Sequence, residues 1–174
     1  CSALGNAGNG FNVDFGDVSE GNAFYSCFAE GNTSHGFRID GSNTNLFSCR
    51  SMGNDGDGFS IADNSNVLMG CSAVDNGSDG IAIVAGNENI LQDCILSGND
   101  AWGINIAGAT IARTVILNPF FASNASGTIT DAGTNTHYQN QGMNTVALSN
   151  GANNNVDMAE NKFERITGPT AAFS

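Results

Sequence analysis

The chain has 174 residues, and its 5 basic and 17 acidic side chains give a formal net charge of −12. This charge argues against nucleic acid or an anionic membrane surface as a partner, because both are themselves negative. The 23 glycines exclude a helical bundle, and the 2 prolines are too few for collagen. The sequence also lacks an apolar run of about 18 residues, so we expect no membrane insertion.

A repeat of about 22 residues begins at the first residue of the chain. Its first marker is a single cysteine, followed five residues later by an asparagine and four residues after that by a glycine. The cysteines are Cys1, Cys27, Cys49, Cys71 and Cys94. The asparagines are Asn6, Asn32, Asn54, Asn76 and Asn99, and the glycines are Gly10, Gly36, Gly58, Gly80 and Gly103. Single cysteines this far apart do not match a zinc site, so the spacing indicates a structural repeat.

Apolar residues within each repeat alternate with polar ones. Phe37 and Ile39, for example, are separated by Arg38, which is the period of a strand. A repeat of this length is too short for a strand with a crossover helix, so each should hold two or three short strands and turns. We therefore predict an all-β solenoid in which equivalent strands pair in parallel and equivalent side chains stack in columns.

Two of these columns have an expected structural role. The asparagines should form a ladder in which each amide bonds the amide of the next turn. The cysteines should point inward as free thiols that fill the interior, although disulfides between stacked neighbours remain an alternative. Gly58→Val should disrupt the fold if the glycine column needs an unusual φ.

Residues 31–39 (GNTSHGFRI), 53–61 (GNDGDGFSI) and 75–83 (DNGSDGIAI) carry a resemblance to a known family. They resemble repeats of the right-handed parallel β-helices of the pectate-lyase superfamily. Similar repeats occur in phage tail spikes, periplasmic copper-site assembly proteins and alginate epimerases. The resemblance implies a single-stranded right-handed parallel β-helix over residues 1–117.

The repeat weakens after residue 117. Residues 118–174 are interpreted as degenerate final turns with a C-terminal cap, or as a linker to a missing domain. Phe120 and Phe121 either plug the core or begin a sixth turn with Asn124, Gly127 and Ile129. Short strands are predicted within 146–148, 156–158 and 163–166. Because no cap precedes Cys1, we expect more turns upstream in a parent protein.

The residues that precede the glycines should form a column on the surface: Asn9, His35, Asp57, Asp79 and Trp102. Asp57 and Asp79 would lie about 5 Å apart, which suits a retaining glycosidase pair. The candidate catalytic residues are therefore Asp57, Asp79 and His35, and the candidate substrate-binding residues are Trp102, Asp55 and Asp100. The alternatives are a Ca²⁺ site helped by Asp55 and ordinary turn chemistry of Asp beside Gly. No other cofactor or metal site is predicted.

The first functional hypothesis is a β-helical module of a tail-spike-like or secreted surface protein that binds cell-surface polysaccharide. It implies an extracellular or virion-associated location and leaves open a homotrimer formed through the parent protein. The alternative is a fragment of a polysaccharide lyase or glycoside hydrolase with acids on the exposed column. Against it, the chain lacks the Asp-Pro-His motif of the epimerases and the Asn-Thr-Asp and Arg-Ile-Lys motifs of polygalacturonases.

Overall fold

The computed structural model describes residues 1–14 and 21–139, together with the backbone of two short strands at 148–149 and 155–156. Within these residues the chain forms strands and turns and no helix, and every strand pairs in parallel with its counterparts in neighbouring turns. The predicted all-β parallel solenoid is confirmed. Three sheets, here named A, B and C, form its sides, and each turn of the chain visits them in that order.

The strands are numbered along the chain. Sheet A contains β1 (Ser2–Leu4), β4 (Phe28–Glu30), β7 (Arg50–Met52), β10 (Ser72–Val74), β13 (Ile95–Ser97) and β16 (Phe120–Ala122). Sheet B contains β2 (Phe11–Val13), β5 (Phe37–Ile39), β8 (Phe59–Ile61), β11 (Ile81–Ile83), β14 (Trp102–Ile106), β17 (Gly127–Asp131) and β19 (Leu148–Ser149). Sheet C contains β3 (Ala23–Tyr25), β6 (Asn45–Phe47), β9 (Val67–Met69), β12 (Ile90–Gln92), β15 (Val115–Leu117), β18 (His137–Gln139) and β20 (Asn155–Val156).

The solenoid continues beyond residue 117. Strands β16, β17 and β18 form a sixth turn, in which Phe121 pairs with Leu96 and Ile129 pairs with Ile104. Strands β19 and β20 pair with β17 and β18, so the stacking extends further still. The cap or linker predicted for the C-terminal part, and the strand predicted at 163–166, lie outside the described residues.

Each corner of the solenoid contains a left-handed residue in nearly every turn. Because this backbone conformation changes the chain direction sharply, one such residue helps the strand of one sheet lead into the next. The corner from sheet C to sheet A uses Ser26, Ser48, Gly70, Asp93 and Asn118. The corner from A to B uses Gly5, Gly31, Gly53, Asp75, Gly98 and Ser123. The corner from B to C uses Gly21, Asn43, Ser65, Glu88, Arg113 and Asn135.

The predicted columns fill the interior. Phe37 and Phe59 are fully buried, and their rings stack with centroids 4.9 Å apart. Aliphatic side chains replace the aromatic rings in later turns, and Ile81 and Ile104 are equally buried. Full burial of each such side chain contributes about 1.5–3 kcal/mol, so this continuous core is the main source of stability.

Close packing, and not φ, explains the glycine column. Gly58 is absent from the left-handed residues, so the expectation of an unusual φ is wrong for this position. A Cβ on Gly58 would lie 2.6 Å from the carbonyl oxygen of Gly80 and 3.0 Å from the amide nitrogen of Asn76. No other residue can approach the next turn this closely, so Gly58→Val remains disruptive for a different reason.

The cysteine column is inward-facing, with one exception at the end of the solenoid. Cys27, Cys49, Cys71 and Cys94 are buried, Cys1 is exposed, and all five are free thiols. Burial raises the pKa of the Cys94 thiol to about 12. In the sixth turn the buried Pro119 takes the place of the cysteine, because it likewise directly precedes the sheet A strand.

The asparagine ladder is confirmed at the A–B corner. The amide nitrogen of each asparagine donates to the amide oxygen of the next, over distances of 2.7–3.0 Å from Asn6 through to Asn124. Each acceptor oxygen also receives the backbone N–H of the preceding turn's asparagine. These bonds satisfy amides that would otherwise be buried without partners.

The sequence reasoning missed a second polar column, at the B–C corner. The residue that directly precedes each sheet C strand is polar in every turn: Asn22, Thr44, Asn66, Asn89, Thr114 and Thr136. Asn66 accepts the backbone N–H of Thr44 at 2.8 Å, and Asn89 accepts that of Asn66 at 2.9 Å. This column is named the second ladder below.

Candidate functional site

The outer surface of sheet B presents the candidate site and is named the sheet B face. Side chains alternate across a strand, so the residue between the two inward-facing side chains of each sheet B strand points away from the core. These outward residues are Asn12, Arg38, Ser60, Ala82, Asn105 and Thr130. On one side of them runs the predicted column from Asn9 to Trp102.

That predicted column is a ladder of side-chain acceptors, and we name it the acceptor column. The backbone N–H of His35 donates to Asn9 Oδ1 at 3.2 Å, and that of Asp57 donates to His35 Nδ1 at 3.0 Å. The N–H of Asp79 donates to Asp57 Oδ1 at 3.1 Å, and that of Trp102 donates to Asp79 Oδ1 at 2.8 Å. Each side chain therefore accepts a hydrogen bond from the backbone of the next turn along the chain.

The expectation that this column is an exposed turn is wrong for its two acids. Asp57 and Asp79 are each only 6% exposed. The physical reason is the ladder itself, because each carboxylate turns along the solenoid axis to reach the next backbone N–H. His35 and Trp102 are half-buried, so the structure brings the four residues together as stacked neighbours without leaving the acids open to solvent.

Asp79 has the most perturbed electrostatics of the column. Burial raises its pKa, hydrogen bonds from Asn105 and the Trp102 backbone oppose the shift, and the charge of Asp57 adds to it. Asn105 Nδ2 donates to Asp79 Oδ2 at 2.8 Å, so both carboxylate oxygens accept a hydrogen bond. Asp57 Oδ2 lies 3.3 Å from His35 Nδ1.

Trp102 lies at the far end of the column. A Cβ on Gly127, its partner in the next turn, would lie 2.7 Å from Trp102 Cζ3. The indole therefore covers this glycine, which has a φ of 135°. The indole also remains half-exposed, so the predicted stacking against a sugar is geometrically available.

Asp55 and Asp100 do not join the acceptor column. Both are exposed, and each directly follows a ladder asparagine at the A–B corner. They lie two turns apart, and Gly77 occupies the equivalent position in the turn between them. Among the described residues, no group of three or more His, Cys, Asp or Glu side chains could hold a metal ion. Asp55 therefore does not join Asp57 and Asp79 in the way that the Ca²⁺ alternative expected it to help them.

Several residues of the face were missed or left unassigned by sequence reasoning. Asn105 bonds Asp79, while Ser60 and Ala82 form the floor of the face at 7% and 2% exposure. Arg38 points outward and bonds Asp40 at 2.7 Å. Strand alternation was the signal for all four, because each follows the large apolar residue after the repeat's glycine.

The family described as the right-handed β-helix region matches residues 1–120, and the chain belongs to this family. The solenoid is therefore a right-handed parallel β-helix. No curated protein matches the chain. No helix in the described part is long and apolar enough to cross a membrane.

Two solved structures share the fold. Pectate lyase Pel9A has a TM-score of 0.61 at 15% identity, covering 98% of this chain and 55% of that protein. The A-module of the Azotobacter vinelandii mannuronan C-5 epimerase AlgE6 has a TM-score of 0.58 at 16% identity, covering 90% and 55%. At these identities the likeness shows the fold alone, and the chain spans about half the length of either structure.

Proposed function

We propose that the sheet B face binds a polysaccharide whose chain runs along the solenoid axis, across successive turns. The observation that carries this proposal is the continuous face itself. One outward residue per turn, Asn105 among them, follows the next at a spacing of about 4.8 Å, and the half-exposed Trp102 lies beside this row. A pectate lyase and a mannuronan epimerase, whose names denote polysaccharide substrates, share this fold, which supports the same ligand class here.

The hydrogen bonding of the two acids favours binding over catalysis. A retaining glycosidase needs one carboxylate that can attack the sugar and a second that can donate a proton to the leaving group. Here both oxygens of Asp79 accept hydrogen bonds from the protein, and Asp57 Oδ1 accepts the Asp79 N–H. These carboxylate oxygens are therefore already engaged in hydrogen bonds that stabilise the solenoid and are not free to act on a substrate.

A second candidate, a polysaccharide lyase or glycoside hydrolase, is favoured by one observation. The pKa of Asp79 is raised by burial beside a second carboxylate, which is how a general acid is kept protonated. In this alternative His35 would assist as a base.

Binding can be tested by affinity electrophoresis in gels that contain neutral or acidic polysaccharides. Trp102→Ala should abolish the retardation of the wild-type protein. Phe120→Ala is the matched control, because Phe120 is an aromatic residue 48% exposed on the outer face of sheet A. Equal retardation of wild type and Trp102→Ala in every gel would exclude Trp102 and this end of the face from the site.

Catalysis can be tested on the same polysaccharides by the release of reducing ends or unsaturated products. Asp57→Asn and Asp79→Asn retain an acceptor oxygen for the next turn, so the solenoid should survive. Cleavage by the wild type that both variants lose would establish the enzyme and reject the pure binding module.

The wider setting is also part of the proposal. A module of this kind suits a tail-spike-like or secreted surface protein that is extracellular or virion-associated. A homotrimer through the parent protein is compatible with that role, and light scattering of the longer protein would test it.

A further inference from the structure

We propose that the sheet B face selects an uncharged polysaccharide and discriminates against polymers that carry a carboxylate on each sugar. This inference rests on the proposed function, because it names the class of ligand for the same face. It follows from the charges that the described part of the chain places on and around the face.

The face carries more negative than positive charge. Three columns form it: the acceptor column, the outward residues and the residues that directly follow each sheet B strand. Across six turns these positions hold four carboxylates and one cation: Asp14, Asp40, Asp57, Asp79 and Arg38. A uronate polymer laid along the face would therefore meet like charge at several turns.

The one cation of the face is already neutralised. Arg38 Nε donates to Asp40 Oδ2 at 2.7 Å, and Asp40 is only 3% exposed. Since Asp40 is held by the solenoid, releasing the guanidinium for a ligand would leave a buried carboxylate without its partner, which is costly. A sugar carboxylate would have to compete with a charge pair that is fixed in place.

A second cation near the face is also paired, although this pair is exposed. Arg113, at the B–C corner, donates from Nη2 to Glu88 Oε1 at 2.7 Å and from Nε to the same oxygen at 2.9 Å. The chain as a whole carries a net charge of −12, which repels a polyanion before contact.

The remaining groups of the face suit neutral sugars. Trp102 offers an apolar surface for the C–H groups of a sugar ring, and Asn105 and Asn12 offer amides for hydroxyls. These groups hold a ligand by stacking and neutral hydrogen bonds, and none needs a charge on the ligand.

Two matched pairs of polymers test the inference without any variant. Mannan and mannuronan differ mainly in a carboxylate, and so do methyl-esterified pectin and polygalacturonate. At about 0.01 M salt we expect the neutral member of at least one pair to bind about tenfold more tightly than its acidic partner. Raising the salt to about 1 M shortens the Debye length from about 30 Å to about 3 Å, so the difference should shrink.

The outcomes separate this inference from the proposed function. Tighter binding of the neutral polymer, lost in Trp102→Ala, supports both. Equal or tighter binding of the acidic polymer, weakening as salt rises, overturns the inference while the proposed function stands. No binding of any of the four polymers by the wild type overturns the proposed function and the inference with it.

A pair of variants then locates the discrimination on the face. Asp40→Asn removes the partner of Arg38, so the preference for neutral over acidic polymer should fall severalfold. Asp93→Asn makes the same change of charge on the exposed ridge between sheets C and A, where Asp93 has a φ of 51° that asparagine tolerates. An equal loss of preference in both would assign the discrimination to net charge and overturn the role of the face, provided that circular dichroism shows both variants folded.

Discussion

The two corners that flank sheet B differ in their length and in the way they satisfy their buried polar groups. The A–B corner separates its strands by residues 5–10, 31–36, 53–58 and 75–80, a constant length of six, and its asparagine ladder is unbroken. The length of the B–C corner varies: residues 40–44 form it in one turn, and the longer segment 107–114 forms it in another. Its column mixes asparagine with threonine. All variation in repeat length between residues 23 and 122 therefore falls at one corner.

The two corners also differ in how many buried polar atoms lack a hydrogen-bond partner. The buried side-chain atoms without a hydrogen-bond partner in the described part of the chain are Thr44 Oγ1, Asn89 Nδ2 and Thr114 Oγ1. All three belong to the second ladder. The amide nitrogen of Asn66 donates to the carbonyl oxygen of Asp63 within the corner 62–66, whereas that of Asn89, at the end of the longer corner 84–89, has no acceptor. The constant corner thus contributes stability, and the variable corner tolerates insertions.

The largest expected effect comes from breaking the ladder that is complete. Asn76→Ala removes the acceptor of the Asn54 amide and of its backbone N–H, both buried, and should cost about 3–5 kcal/mol of unfolding free energy. Asn89→Ala is the matched change in the second ladder and should cost about 1–2 kcal/mol, because its amide nitrogen already lacks a partner. Urea denaturation gives both values, and equal costs would remove the distinction between the corners.

Completing the broken ladder should have a smaller effect of the opposite sign. Thr114→Asn supplies an amide oxygen that can accept the backbone N–H of Asn89, as Asn89 accepts that of Asn66, and we expect a gain of about 1 kcal/mol. Thr114→Val keeps the shape and removes the hydroxyl without providing an acceptor, so it should not reproduce the gain. A lower denaturation midpoint for Thr114→Asn than for Thr114→Val would show that the corner has no room for the amide.

The sixth turn at the variable corner should be sensitive to alkali. Tyr138 is buried, and its hydroxyl donates to Asp131 Oδ2 at 2.5 Å. Burial, together with this contact, raises the Tyr138 pKa above its usual value of 10. A raised pKa favours the neutral phenol in the folded state, so its contribution is present below pH 10 and is lost as pH rises further. Thermal unfolding above pH 10 should show this loss in the wild type and a weaker one in Tyr138→Phe.

The smallest expected effect concerns the acceptor column, where carboxylates stand in place of amides. The raised pKa of Asp79 means that the folded state favours its protonated form, so its ionisation above pH 3.8 costs stability. Asp79→Asn should therefore gain relative to wild type between pH 3 and pH 7, by under about 1 kcal/mol. The exposed Asp93→Asn is the control, and a matching gain there would assign the effect to net charge.

Much of the architecture could be predicted from the repeat. The Phe37–Ile39 alternation predicted strands, the 22-residue period excluded a crossover helix, and the asparagine spacing predicted the ladder. The second ladder was not predicted, because it mixes threonine and asparagine without a regular order and the turn length changes. Asp131 was not recognised either, although it occupies the inward column that Ile106 occupies one turn earlier.

The position of the candidate site was predicted, but the burial of its two acids was not. The residue before each glycine does lie at the edge of the sheet B face, and Trp102 is available there. The burial of Asp57 and Asp79 could not be predicted, because a side chain beside a turn can point either to solvent or along the axis. Only the distance to the next backbone N–H decides between these directions.

By itself the sequence determined that this protein is a parallel coil of strands, because alternation and a fixed period leave equivalent residues no other way to bury their apolar side chains. It also determined the net charge of −12. Tertiary structure alone decided which carboxylates are held by the backbone and which ladder is incomplete. Those properties depend on contacts between turns that are separated by 22 or more residues, and one repeat read in isolation does not contain them.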